Sequence, residues 1–171
     1  MMNQIIEFKH TATTSDKQVA KSVVLTSGLE VEEQISPEYD FKGYLITNDI
    51  PVSVLSDAHQ ALKSSLMPAE EDLVAKALLK LRALTAHKAD GKDLDIILEA
   101  YLEKLRDYPK DAVLESLNRY PDHKKWFPSW AELRDDVEFR CVRRLELLKA
   151  IERKINERQL TQVRENTRTT A

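Results

Sequence analysis

From Pro51 onward the apolar residues of this chain recur at steps of three and four, and that regularity restricts the fold more than any other feature. The cleanest stretch is Leu94, Ile97, Leu98, Tyr101, Leu102 and Leu105. With about 3.6 residues per turn, such positions share one face, so the spacing predicts an amphipathic helix that must bury that face against other helices. Prolines punctuate the pattern. Val52, Leu55, Ala58, His59 and Leu62 trace a short helix before Met67. Pro68-Ala69-Glu70-Glu71-Asp72 reads as the next helix start, since Pro suits a first turn and acids complement the N-terminal dipole. Leu73, Ala77, Leu78, Leu81 and Leu84 supply its expected buried stripe, to about Ala86. Ala89-Asp90-Gly91-Lys92 is a turn.

Tyr108-Pro109 ends the clean helix and opens another carrying Ala112, Val113, Leu114 and Leu117, which Tyr120-Pro121 is expected to close because a residue before Pro is pushed out of the α region. After a loop at 122–128, Ser129-Trp130-Ala131-Glu132 fits the S-x-x-E capping box. Leu133, Val137, Cys141, Leu145, Leu148, Ile151 and Ile155 then predict one helix of about 25 to 30 residues. The expected architecture is all-α: a bundle of four to five helices over 52–158 with a long C-terminal helix. Residues 159–171 are polar and expected to fray. Residues 1–36 keep no period and read as an acidic arm, disordered or folding on a partner, with a short helix near Asp16 to Leu25. Residues 37–51, with Tyr39, Phe41, Tyr44, Leu45 and Ile46, read as an extended strap.

Composition then narrows the chemistry. The three glycines, Gly28, Gly43 and Gly91, are too far apart for a GxxxxGK[ST] phosphate loop or a GxGxxG dinucleotide turn. No apolar run is long enough to cross a bilayer, and the start has neither a basic region nor a long apolar core, so a cytoplasmic protein of a bacterial host is expected, with no membrane partner. His10, His59, His87 and His123 lie in no HxH or HExxH pattern, and Cys141 is alone, so no metal or cofactor is expected. Cys141 reads as a small core hydrophobe. Asp93 and Asp95 project to opposite sides of a helix, Asp135 and Asp136 are adjacent, and Ser129 has no GxSxG elbow, so no catalytic residue is assigned and the chain is not expected to be an enzyme.

Two features remain. Trp126, Phe127, Pro128 and Trp130 gather both tryptophans of the chain at a helix entrance, where they either anchor a partner or lock the long helix to the bundle. Ser129 and Glu132 beside them are cap residues. The charge is also uneven: residues 1–72 carry 5 basic and 12 acidic groups, residues 123–171 carry 12 and 8. Arg140, Arg143, Arg144 and Lys154 fall near one another in helical projection and are candidates for phosphate contact, although interleaved acids favour ion pairs along the helix.

The segments Tyr101 to Val113 and Lys125 to Leu133, with their L-x-x-Y helix end, short helix and F-P-[ST]-x-x-E-[LI] helix start, resemble small helical phage and prophage proteins of the kind that load and inhibit a replicative hexameric helicase. The similarity covers about 45 of the 171 residues. It implies a helical fold, no ATPase of its own, and a replicative helicase as partner, delivered to DNA at an origin. The arm here is N-terminal and acidic, which departs from that pattern. Two alternatives stand beside the helicase reading. One is a DNA-binding regulatory protein using the basic long helix, and the other is a self-assembling structural or packaging protein using that helix as a homodimer seam.

Overall fold

A computed structural model describes residues 27–86 and 91–169; the arm up to 26, its expected helix near Asp16 to Leu25, and residues 89 and 90 of the expected turn lie outside the described residues, while Gly91 and Lys92 of that turn begin a helix. The chain is mostly helical but not purely so. In order it forms β1 (Val31–Ile35), β2 (Phe41–Ile46), α1 (Val52–Ser65), α2 (Glu71–Leu84), α3 (Gly91–Leu105), α4 (Lys110–His123) and α5 (Trp130–Thr169). The described residues divide into two compact units, one made of those up to Lys63 with those from Leu145 onward, the other of those from Ser64 to Arg144. Within the expected helical domain over 52–158 every element is a helix; the two strands lie ahead of it, and residues 52–63 and those from Leu145 group with them in the first unit.

In the first unit, β1 and β2 pair antiparallel with Val31 opposite Ile46 and Glu33 opposite Tyr44. The turn between them closes through Tyr39 N donating to Ser36 O (2.9 Å) and Ser36 N to Asp40 O (2.9 Å), with Tyr39 at a positive φ. These strands fall in the expected arm and strap. They escaped the sequence reading because a clean alternation is missing: the register shifts between Gln34 and Ile35, and only Gly43 and Ile46 of the two strands are buried. Gly43 sits at φ 145°, and a β-carbon there would lie 3.1 Å from a carboxylate oxygen of Glu146, so the missing side chain lets β2 approach α5. The outer edge of β2 is covered by α5 cations, Arg153 donating to Tyr44 O (2.8 Å) and Lys154 to Ile46 O (3.2 Å). The core of this unit joins Leu29, Ile46, Leu55, Leu62, Leu147 and Ile151, with Ala58 and Ala150 filling the gaps between larger side chains.

In the second unit, α2 packs on α3 and on α4 around Val74, Leu78, Leu81, Leu105, Val113 and Leu117, with Leu133 and Val137 of α5 closing the core. The start of α2 is later than Pro68 suggests, because Pro68 is held in a backbone bridge to Pro109. Its buried stripe is Val74, Ala77, Leu78 and Leu81, so Val74 takes the place expected of Leu73, which is only half-buried, and Leu84 drops out. Leu84 is 58% exposed, since the helix stops there and Thr85 turns back to cap Leu81 O through both its backbone N–H and its hydroxyl. Pro121 does not close α4. The helix runs on to His123, held by buried Tyr120 and by Lys124 N donating to Tyr120 O (3.1 Å); so near the C-terminus the proline costs little ladder.

The long helix is longer than expected, 40 residues or about 60 Å, and remains helical through Thr169 where fraying was expected. Its buried register also differs. Steps of four from Leu133 to Leu145 advance the helix face by about 40° each. By Leu145 the stripe has turned into solvent, and Arg144, Leu147, Ala150 and Ile151 occupy the inward positions instead.

Candidate interaction surface

The loop from Lys124 to Ser129 is fastened on every side. Its backbone brackets one residue of the α2–α3 connection: Ala86 N donates to Lys125 O (2.8 Å) and Phe127 N donates to Ala86 O (2.7 Å). Pro128 is buried, and its carbonyl accepts from the Tyr101 hydroxyl (3.0 Å). The rings of Phe127 and Trp130 pack on Tyr101 at 5.8 and 5.5 Å, and Lys104 lies over Trp130. At the exit Ser129 and Glu132 form the expected capping box: Ser129 N donates to Glu132 Oε2 (2.9 Å), and Glu132 N donates to Ser129 Oγ (3.3 Å). The Ser129 backbone N–H and the Ser129 hydroxyl (2.8 Å), both donating to Oε2, hold the Glu132 carboxyl below its ordinary range.

The four aromatic and proline candidates thus separate. Phe127, Pro128 and Trp130 lock the helix entrance, the locking role considered for the whole segment. Trp126 alone is turned outward, 49% exposed, with Lys125 Nζ 5.7 Å from its ring centroid. Both backbone groups flanking it are held by Ala86, two residues after exposed Leu84. A large ring is therefore displayed from a fixed backbone, which spares the ordering cost that usually weakens binding by loops.

The basic candidates on α5 are engaged within the fold. Arg144 is buried and donates to Asp111 (2.6 Å) and Glu115, and its charge is reinforced: burial opposes it, but Glu115 and Asp111 outweigh that and raise its pKa. Arg140 pairs with Glu115 and with Asp136 (3.0 Å). Arg143 lies over the Phe139 ring at 4.8 Å, and Lys154 is on the Ile46 carbonyl. These four side chains do not form a free row of cations. Cys141 is half-buried against the second unit's core, and burial pushes its thiol up, as a packed hydrophobe requires.

A second group of nitrogen-bearing side chains, two of them cations, was missed by sequence reasoning. Because α4 continues through Pro121, Arg119 and His123 fall one turn apart and, with Lys124, line one wall of an open cleft of about 290 Å³. Glu132, Asp136 and Arg140 line the other. Ending the helix at Tyr120 had placed Arg119 and His123 on different elements; the signal for their grouping was their spacing of four.

Comparison with protein-family models, curated proteins and solved structures finds no match. Among the described residues no group of three His, Cys, Asp or Glu side chains could hold a metal ion, and no helix is long and apolar enough to cross a membrane.

Proposed function

We propose that this protein is a non-enzymatic phage or prophage replication accessory factor that binds a replicative helicase and modulates its loading on DNA. The observation that carries the docking part is Trp126: a half-exposed tryptophan on a loop whose backbone is bonded on both sides to Ala86. Tryptophans so presented are typical anchors of protein interfaces. The partner's identity rests on the resemblance of the Tyr101–Val113 and Lys125–Leu133 segments to helicase loaders.

The test is co-purification of the tagged protein with the hexameric helicase of its own host or phage, followed by the helicase's ATPase rate with and without it. A stable complex with altered ATPase is expected. Trp126→Ala should weaken it by about 2 kcal/mol or more while leaving helical content unchanged, because half of the ring is already in water. No complex, or one indifferent to Trp126→Ala, rejects the reading.

Self-assembly along α5 is a second reading, favoured by the exposed Leu160 and Val163 beyond the last packed turn. A continuous seam is obstructed midway, where Arg153 is bonded to β2. Light scattering at high concentration decides it, since a monomer there removes the idea.

A further inference from the structure

The cleft and the tryptophan adjoin in sequence, and their chemistry describes one kind of occupant. Arg119 and His123 make no hydrogen bond or ion pair among the described residues, and both are exposed. Lys124 and Lys125 lead directly into Trp126, itself tied through Ala86 to the strand of chain that begins at exposed Leu84. Lys124, on the cleft wall, is thus two residues from Trp126 along the chain, within reach of one short extended peptide. The opposite wall of the cleft carries both signs: Glu132 holds the Ser129 cap, and Asp136 is paired with Arg140 beside it.

That mixed lining discriminates between polyanions. A nucleic-acid backbone brings a negative charge at every nucleotide and would set some of them against Glu132 and Asp136. A peptide can place a carboxylate against Arg119 and His123, direct backbone N–H groups at the opposite carboxylates, and seat an apolar side chain on Trp126. We propose that this surface binds an acidic peptide segment bearing an apolar anchor, the carboxylate entering the Arg119–His123 wall of the cleft and the anchor covering Trp126. This rests on the helicase-binding reading and names the chemistry of the partner surface it requires.

The experiment uses the full chain carrying Trp130→Phe, so that the fluorescence of Trp126 alone reports. It is titrated with a short alternating Glu-Leu peptide, with poly-Glu, with an alternating Lys-Leu peptide and with oligo-dT. The Glu-Leu peptide should shift the emission of Trp126 and bind at least about tenfold more tightly than poly-Glu, with affinity falling as salt rises. The Lys-Leu peptide should not bind. Arg119→Glu, and separately Lys125→Glu, should each lower affinity by about tenfold with an unchanged far-ultraviolet circular dichroism spectrum. No binding of the Glu-Leu peptide, equal binding of poly-Glu, indifference to Arg119→Glu, or tighter binding of oligo-dT overturns the proposal. The helicase complex is scored separately. A complex that forms and ignores Arg119→Glu sinks this inference alone, whereas absence of the complex sinks the helicase-binding reading.

Discussion

Replacing Arg144 by Ala should be among the most damaging single substitutions in the second unit. The Arg144 side chain is 5% exposed, and the carboxylates of Asp111 and Glu115 that it holds are 10% and 8% exposed. Removing the guanidinium takes the ion pair from buried Asp111 and leaves Glu115 with Arg140, with little water to replace the lost charge, and it also deletes the bond to Arg140 O (3.1 Å). Breaking a buried ion pair from one side costs about 3 to 5 kcal/mol. Against a whole-domain stability of about 5 to 15 kcal/mol, that is a large fraction. Arg144→Lys should lose less, about 1.5 to 3 kcal/mol for a charged hydrogen bond, because one ammonium cannot serve both carboxylates in the planar fork that a guanidinium offers. The assay is urea unfolding followed by tryptophan emission, which reports this unit because Trp126 and Trp130 both belong to it. Neutralising the partners supplies the control: Arg144→Met with Asp111→Leu and Glu115→Leu should recover most of the loss, since an apolar replacement of a whole buried cluster is often neutral or better. An Arg144→Ala loss below about 1 kcal/mol, the range of exposed pairs, would refute the claim that these charges are withheld from water.

Ser129→Ala should destabilise by about 1 kcal/mol, the usual value of an N-cap, measured by thermal melting. The carboxyl of Glu132 is held low in the folded state, so its contribution is present above the ordinary carboxylate value of 4.5 and lost as pH falls through the folded value; Ser129→Ala should flatten that acid limb. Tyr101, Tyr108 and Tyr120 are all raised above 10.0, chiefly by burial, so their stabilising share is complete below that value and disappears as pH rises through the folded values. Tyr101→Phe should make alkaline unfolding, followed by circular dichroism, less steep. Gly43→Ala should cost about 1 kcal/mol or more, because it places a β-carbon at φ 145° and against Glu146, and an unchanged melting temperature would contradict the close approach of β2 to α5.

Much of the helical order was legible in residue spacing. The stripe from Leu94 to Leu105, the capping box at Ser129 and the start after Pro109 are local, because periodicity and capping act within one or two turns, and the helices stand where those signals lie. The aromatic segment was legible as a cluster but not as a division of labour. Its sequence alone cannot say that Tyr101, about 27 residues away, takes Phe127, Pro128 and Trp130 and leaves Trp126 outside.

Sequence by itself determined that this chain would be built mainly of amphipathic helices, because hydrophobic periodicity and proline punctuation are properties of neighbouring residues. Tertiary structure decided the rest. The strands at Val31–Ile35 and Phe41–Ile46 exist because each supplies the other's backbone partners and α5 covers their outer edge, support that a five-residue window does not contain. Arg144 lies inward and Leu145 outward because a helix turns about 100° per residue and the face that is buried is chosen by what packs there; the acids that make a buried arginine tolerable stand 33 and 29 residues earlier, on α4.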